Sequence, residues 1–571
     1  MTSAENAHPT DGADRAAGTP GVHRASAARG AGGGAEGPPP MLVAGAGPVG
    51  LTLAHELARH GVRVRIVDAR RAPVTTSRAI ATHPRTLETY AQMGIVDEVL
   101  PLGQRVSAFT LFQNGKRLTR LEADYGRTPT RYPFTLTITQ VRTESVLRAA
   151  LARRGVEVEW DTRLDAFEHD AHGVRARLAG PGGTEEVDVP WLVGCDGGHS
   201  VVRKRLGLRL LGEQSETWML ADARVDTELP RHSIYWVRTG GTTLMMVPLS
   251  EPGRWRLLDT SRPPHDEDPG RVAGRMAAML SSGTGGTVRV GRPDWVSVFT
   301  FQQRMVERMR VGRCLVAGDA AHVHSPASGQ GMNTGIQEAY NVAWKLAAVV
   351  HGRAPEELLD SYGEERVPVG RSLLDSTKTA TRLIQLRNPV LQRALPVFFA
   401  LVRTVPALRR HMQHKILGTM SGLEVNYAAS SLSLPEDGAP APRPGDRVSR
   451  ITAESAGSPG PAALLTELAG TRWTLLWFRG AEEGAKELAN IQARQGSWLS
   501  VRTVVPEDVP DVPSSDAEAV LDDGSLRRAL GAEADSWLLV RPDGYLSARG
   551  VGLTEDGFAG LLARLPLAAD G

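Results

Sequence analysis

Apolar positions along the chain repeat with two periods, and the switches between them predict its elements. From Met41 a short apolar run, a glycine-rich turn, a helix-like segment to His60 and a second run from Val62 to Val67 read as strand, helix, strand. Helical spacing returns at Leu87 to Leu100 and at Arg142 to Arg153. Glu157 to Asp196 breaks into short alternating strands with glycine turns, the last of them ending at Cys195. Between Trp218 and Phe301 the alternation is strand-like, with turns at Thr239-Gly240-Gly241 and Glu251-Pro252-Gly253, which predicts an antiparallel sheet. A third apolar strand, Cys314 to Ala317, leads into a long helix from about Met332 to Val350 that Gly352 stops, and helices continue to about Leu417. After a Pro-rich stretch from Leu434 to Gly445 the α/β alternation begins afresh. Strands are expected at Trp473 to Phe478, Leu499 to Val505 and Trp537 to Val540, with helices at Glu482 to Gln495 and at the end.

Length and composition narrow the function classes. A chain of 571 residues exceeds what one core supports, so two or three domains are expected. The 66 basic and 64 acidic residues nearly cancel and form no long run of one sign, so nothing points to a nucleic-acid partner. The two cysteines, Cys195 and Cys314, each sit in an apolar run, which argues against a disulfide framework and for a reducing cytoplasm. Residues 1–40 are rich in Gly, Ala, Pro and Ser and have no apolar stretch of signal-peptide type; they read as a disordered leader. Ala394 to Val402 is apolar but short and flanked by Arg393 and Arg403, so no membrane span is expected.

Three motifs carry chemistry. Gly45-Ala46-Gly47-Pro48-Val49-Gly50 follows a strand and opens a helix, where glycines permit the tight turn and bring backbone amides to a pyrophosphate at the helix N-terminus. Asp68 ends the second strand, placed to accept hydrogen bonds from an adenosine ribose. Far downstream, Asp196-Gly197-Gly198, followed by Ser200 and Arg203, comes directly after a buried strand. So does Gly318-Asp319-Ala320-Ala321-His322, which runs on into Pro326, Gly329, Gln330, Gly331, Met332 and Asn333.

With these motifs in this order, and with the closing segment Val540-Arg541-Pro542-Asp543-Gly544-Tyr545, the chain from about Met41 to Gly571 resembles the class A flavoprotein monooxygenases. This is the family of para-hydroxybenzoate and phenol hydroxylases, and the resemblance is closest to its aromatic-polyketide hydroxylase branch. It implies an α/β architecture with a Rossmann-like FAD-binding domain (41–215 and 302–395) and an inserted antiparallel substrate-binding sheet (216–301). A helical region and linker (396–440) and a C-terminal thioredoxin-like α/β domain (441–571) would follow. That last part contains no cysteine, so a structural or dimer-stabilising role is expected in place of thiol chemistry.

The resemblance also implies non-covalent FAD, reduced by NADPH or NADH, and dioxygen added at the flavin to form a hydroperoxide that oxygenates an aromatic, polyketide-like substrate. By the same carry-over, Gly45, Gly47, Pro48 and Gly50 meet the pyrophosphate and Asp68 the ribose, with Arg78 near the phosphates. Gln140 would contact the cofactor before a helix, and the Leu164 backbone would touch the adenine. Asp196 would serve both FAD and the passing nicotinamide, and Gly318 and Asp319 the ribityl chain. Pro326, Gly331, Met332 and Asn333 form the third motif's approach to the flavin. The orphan amides of the helix beginning near Met332 suit the negative charge on the pyrimidine edge of reduced flavin.

Trp218, Met245 and Met246, in or beside strands of the expected sheet, are candidate substrate contacts. No catalytic base is evident. His322 and His324 have a metal-like spacing but no accompanying ligand cluster, so a packed, hydrogen-bonded histidine is the expectation and no metal is assigned. Arg254 and Arg256, alternating with Trp255, read as a solvated face beside a packed indole. Alternative activities on the same scaffold are Baeyer–Villiger oxidation and epoxidation; a non-catalytic FAD-binding or substrate-sequestering protein is a more remote one. A monomer or homodimer acting in antibiotic biosynthesis completes the expectation.

Overall fold

The strands that precede the three glycine motifs lie side by side. The computed structural model describes residues 39–567 apart from 77–78, 123–127, 262–267, 325–328, 385–388, 414–417, 437, 481 and 508–518. Its six-stranded sheet runs in the order Arg310–Val311, Cys314–Val316, Leu192–Gly194, Met41–Ala44, Val64–Val67, Val158–Glu159. All neighbours are parallel except the antiparallel Arg310–Val311 edge. Met41 to Val43, Leu192, Val193 and Cys314 to Val316 have no exposed surface. A strand covered on both faces is apolar without alternation, which is how these runs read. The helix Pro48–Arg59 packs against Gly331–Val350 and Gln140–Ala152. The expected helix from Leu87 to Leu100 is instead Pro84–Gln92 and the short turn Val96–Val99, because Gly94 takes a left-handed conformation (φ +76°) between them.

The second sheet has nine strands. Eight run in the order His322–Val323, Trp295–Met305, Leu211–Asp226, Arg254–Asp259, Thr242–Pro248, Ser233–Thr239, Ala108–Gln113, Lys116–Glu122, and Arg289–Val290 pairs off this path. Two expectations are corrected here. The sheet is neither confined to 216–301 nor wholly antiparallel, since Ser233–Thr239 pairs in parallel with Ala108–Gln113, more than a hundred residues upstream. Within the supposedly all-strand stretch, Pro269–Thr284 is a helix, started by Asp268, whose side chain accepts from the Arg271 amide, with Pro269 in the first turn. Val272, Met276 and Leu280 of this helix pack on one face of the sheet against Met219, Tyr235, Leu244, Met246 and Leu257.

Two three-stranded sheets flank these. One orders Gly183–Val189, Val174–Gly180, Arg163–His169; the other orders Ala81–Thr82, Thr135–Thr137, Gln104–Val106. The last sheet, Ala519–Asp522, Leu499–Pro506, Trp473–Phe478, Ser536–Val540, Leu546–Val551, shares a core with the long helix: Trp473, Leu475 and Trp477 join Trp344 and Leu358. Trp344 meets Trp473 edge-on, with ring centres 5.6 Å apart. A buried charge network closes the junction. Glu365 accepts from Lys345 Nζ at 2.7 Å, from both terminal nitrogens of Arg541 at 2.6 and 3.0 Å, and from Ser430 Oγ at 2.7 Å. Arg541 also binds Asp543, which accepts from Trp344 Nε1 and Asn341 Nδ2. Two cations and the carboxylate between them, all at no exposure, survive only because each is paired and hydrogen-bonded.

Among the described residues no helix is long and apolar enough to cross a membrane.

Candidate active site

The first glycine turn is shaped by what its atoms touch. A Cβ on Gly45 would lie 2.4 Å from the Cys195 carbonyl oxygen, and one on Gly50 only 1.8 Å from that of Gly45, so both must be glycine. Gly47 differs: nothing lies within 4 Å of its added carbon, which leaves open space at the head of the helix Pro48–Arg59. That helix has no side-chain cap, and its first amides remain donors toward this space.

Asp68 is held at the next strand end. Its Oδ2 accepts from the Ala46 amide at 2.7 Å and from Arg70 Nη2 at 2.8 Å, and its Oδ1 accepts from Arg70 N and Nε at 2.9 Å. Burial would raise its pKa, but the Arg70 and Ala46 bonds outweigh this and keep the carboxyl below its ordinary range. Arg70 was not singled out by the sequence, although its position two residues after Asp68 is a usual spacing for a local carboxylate bond.

Gln140 heads its helix; its amide donates to Ala79 O at 3.1 Å and its side chain to Glu144 Oε1 at 2.8 Å. Glu144 is fully covered, and burial lifts its carboxyl. Leu164 has a buried side chain on the edge strand Arg163–His169, and Thr162, two residues earlier, donates its amide to Asp68 O at 3.0 Å. Arg78 and Pro326 lie outside the described residues.

The second and third motifs are pinned together by a residue each. Asp196 Oδ2 accepts from the amides of Val201 and Val202, while its Oδ1 is buried with no partner among the described residues, an acceptor open to a ligand. Arg203 spans the gap: Nη2 donates to Gly198 O at 3.0 Å and Nη1 to Ala320 O at 3.2 Å. Glu338 serves the third motif from behind, accepting the Gly318 amide at 2.8 Å and meeting His322 Nε2 at 2.7 Å. Burial opposes charge on both, yet the pair prevails, with His322 raised and Glu338 lowered. His322 is therefore a structural ion-pair partner. Asp319 is exposed on the turn Gly318–Ala320.

Gly331, Met332 and Asn333 form the first turn of Gly331–Val350, which has no side-chain cap and whose first helical bond comes from Thr334 N to Gln330 O. The Asn333 side chain faces away from any ligand role. It accepts the His83 amide and donates to Ala81 O and Gly329 O, each at 2.8 Å, so it ties the segment 79–83 to the helix start. Ile80 in that segment packs beside Ile234, Val247, Trp236 and Met245 of the nine-stranded sheet. One short segment thus joins the open helix N-terminus to the face of the sheet turned away from Pro269–Thr284.

That face carries Trp218, Leu220, Leu258 and Phe299, with Trp236, Met245 and Trp295 partly buried beside them. Trp218 and Met245 therefore share it, but Trp218 has no exposed surface, so of the two only Met245 is open to a ligand. Met246 does not share the face: adjacent strand residues point to opposite faces, and Met246 lies fully buried under Pro269–Thr284 with Met276. Its place as a substrate contact is corrected. The reading of Arg256 as solvated is corrected too. At 2 % exposure its guanidinium makes two 2.7 Å bonds to the Asp222 carboxylate and lies 5.3 Å from the Trp295 ring centre. Strand alternation puts this pair on the aromatic face. Arg254 pairs with Asp294.

Comparison with known proteins bears on the same residues. The family model described as FAD binding domain matches residues 40–377. The chain is 50 % identical over 529 residues to 6-methylpretetramide 4-monooxygenase of Streptomyces rimosus, covering 92 % of this chain and 93 % of that one. It is 33 % identical over 517 residues to 12-dehydrotetracycline 5-monooxygenase/anhydrotetracycline 6-monooxygenase of Streptomyces rimosus subsp. rimosus, covering 89 % of this chain and 94 % of the relative. Among solved structures it superposes on the anhydrotetracycline hydroxylase of Streptomyces rimosus with a TM-score of 0.70 at 30 % identity, covering 92 % of this chain and 99 % of that one.

Proposed function

Because the chain belongs to the FAD-binding-domain family of flavin-dependent monooxygenases, we propose that it hydroxylates a polycyclic aromatic polyketide of the pretetramide type. It is an FAD enzyme that uses NAD(P)H and dioxygen. The observation that carries the substrate class is 50 % identity along nine-tenths of the chain to a hydroxylase of 6-methylpretetramide. The partly exposed Trp236, Met245 and Trp295 on one face of the nine-stranded sheet support it.

The residues present fit the cofactor: an uncapped helix head opens onto empty space at Gly47, and a second uncapped helix starts at Gly331. Gly45, Gly47, Pro48 and Gly50 would hold the pyrophosphate and Asp68 the ribose, with Gln140 and the Leu164 backbone alongside. Asp196, Gly318 and Asp319 would hold the sugar chain between them, and the amides of Gly331, Met332 and Asn333 would meet the pyrimidine edge. FAD reduced by the nicotinamide supplies the activation of dioxygen.

The chain's own part is positioning and drying. Arg203 ties the second and third motif turns to each other, and Glu338 holds the third from behind. Trp236, Met245 and Trp295, partly exposed on that face, would meet the substrate and exclude water, which otherwise diverts the oxidant to hydrogen peroxide, with the buried Trp218 and Phe299 packed behind them. The Asp222–Arg256 pair would set one polar edge of that face. Because its charges are mutually satisfied, it orients a substrate oxygen without acting as a base.

The test is incubation of the yellow protein with NADPH, labelled dioxygen and a tetracyclic pretetramide-type polyketide. One labelled oxygen should appear in the product, with nicotinamide oxidation accelerated by substrate. Label arriving from water, or turnover of small phenols with every tetracycle ignored, would overturn the mechanistic half or the substrate half respectively.

A further inference from the structure

Four of the seven large apolar side chains that stand exposed among the described residues gather in one place. They are Val397 (73 % exposed), Leu401 (52 %), Phe398 (43 %) and Val405 (38 %). Spacings of three and four put them on one stripe of the helix Pro389–Thr404 and the residue after it. The adjoining stripe, Leu395, Phe399 and Val402, packs against Leu111 and Leu118 of the nine-stranded sheet. The helix is therefore anchored by one apolar stripe and presents another to water.

Charge is equally lopsided. Between Asp375 and Glu424 the sequence carries eight Lys and Arg, dispersed rather than contiguous, and no Asp or Glu; the rest of the chain carries 58 basic against 64 acidic residues. Arg393, Arg403, Arg409 and Arg410 are exposed around the apolar stripe. A negative surface would attract this side of the molecule and repel the remainder, which fixes the orientation of approach.

We propose that the helices Pro389–Thr404 and Pro406–Gln413 dock on an anionic phospholipid surface, with Val397, Phe398 and Leu401 entering the interfacial layer and the arginines at the headgroups. An apolar stripe bordered by cations is the pattern that lies in such an interface, and each arginine near it raises partition by about fivefold. A second copy of this chain suits the face less well, because twofold pairing would set Arg393, Arg403, Arg409 and Arg410 against the same four of the other copy. With no helix among the described residues able to span a bilayer, the attachment proposed is peripheral and reversible.

The holoprotein is sedimented with vesicles of phosphatidylcholine alone and with vesicles also containing phosphatidylglycerol, at low and high salt. It should pellet only with the anionic vesicles and be released by salt. The pair Phe398→Ser with Leu401→Ser should weaken vesicle binding by more than about tenfold, and the triple Arg403→Gln, Arg409→Gln, Arg410→Gln by about a hundredfold. Flavin absorbance and circular dichroism should be unchanged in both variants, since all five side chains are exposed. Absence of pelleting, equal binding to neutral vesicles, or variants that bind as well as wild type would overturn the proposal. So would a wild-type dimer that the Phe398→Ser, Leu401→Ser pair converts to monomer, which would assign the face to a second copy.

Discussion

Replacing Glu338 with Gln removes one negative charge from behind the third glycine motif. In the wild type one carboxylate oxygen accepts the Gly318 amide at 2.8 Å and the other meets His322 Nε2 at 2.7 Å, with both side chains at 1 % exposure or less. Burial disfavours charge on each, and each overcomes it through the other: His322 is held above its ordinary value of 6.5 and Glu338 below 4.5. The amide keeps an acceptor for Gly318 but leaves a buried imidazolium without counter-charge. Breaking a buried pair costs about 3–5 kcal/mol, and here the histidine escapes part of that by losing its proton, so a net loss of about 2 kcal/mol is expected. A histidine with a raised folded pKa contributes fully below its unfolded value and loses that contribution as pH climbs through the folded one. A glutamate with a depressed folded pKa contributes above its unfolded value and loses it as pH falls. The pair therefore stabilises most between 4.5 and 6.5 and fades above. Urea unfolding of both proteins at about pH 6 and about pH 9 should show the gap of about 2 kcal/mol at the lower pH and a smaller one at the higher. Fluorescence titration should show FAD bound about tenfold more weakly, because the Gly318 turn is less firmly held, and tenfold is about 1.4 kcal/mol. Equal stability at the lower pH, or the same gap at both, would refute the pairing.

Gly50→Ala should purify colourless, since its Cβ would fall 1.8 Å from the Gly45 carbonyl oxygen and the turn must open; absorbance at flavin wavelengths checks it. Glu365→Gln strands Lys345 and Arg541 in the core and should cost about 3–5 kcal/mol of stability, read from the first unfolding transition. Met245→Ala should change KM or the fraction of nicotinamide consumed without product. Met246→Ala should cost about 2–5 kcal/mol by leaving a cavity under the Pro269–Thr284 helix, with no change in substrate preference among the molecules that still fold.

What could be read from the chain depended on how local the cause was. The strand Trp473–Phe478 and the helix Glu482–Gln495 have the bounds expected of them, the first from an unbroken, nearly all-apolar run and the second from helical spacing. The helix Pro269–Thr284 was legible too, through Asp268 and Pro269 at its start and Val272, Met276 and Leu280 at helical spacing; its three internal glycines masked the signal. Met245 and Met246 could have been separated by strand alternation. By contrast, the burial of Arg256 depends on Asp222, 34 residues away on a neighbouring strand, and the parallel pairing of Ala108–Gln113 with Ser233–Thr239 has no local signature. Glu338 is the one acidic residue of the helix Gly331–Val350, and a lone carboxylate in a largely apolar helix is the visible hint of a buried partner. At the site, the motifs marked the turns and Arg70 lay within reach of a local reading, whereas the bracing contacts of Arg203 and Glu338 join separate elements.

The charge cluster around Glu365 bears on how this chain can recombine with its relatives. Its members sit at 341, 345, 365, 430, 541 and 543, so any crossover between the Ser430 and Arg541 positions draws the carboxylate and its cation from different parents. A graft of the last five-stranded sheet onto another body succeeds only if that body already supplies the glutamate, the lysine and the Trp344 ring that receive it. The unit of inheritance is then the terminal sheet together with the helices Gly331–Val350 and Asp360–Ile384, and hybrids that split them would be eliminated at folding, before any selection on their substrate could act.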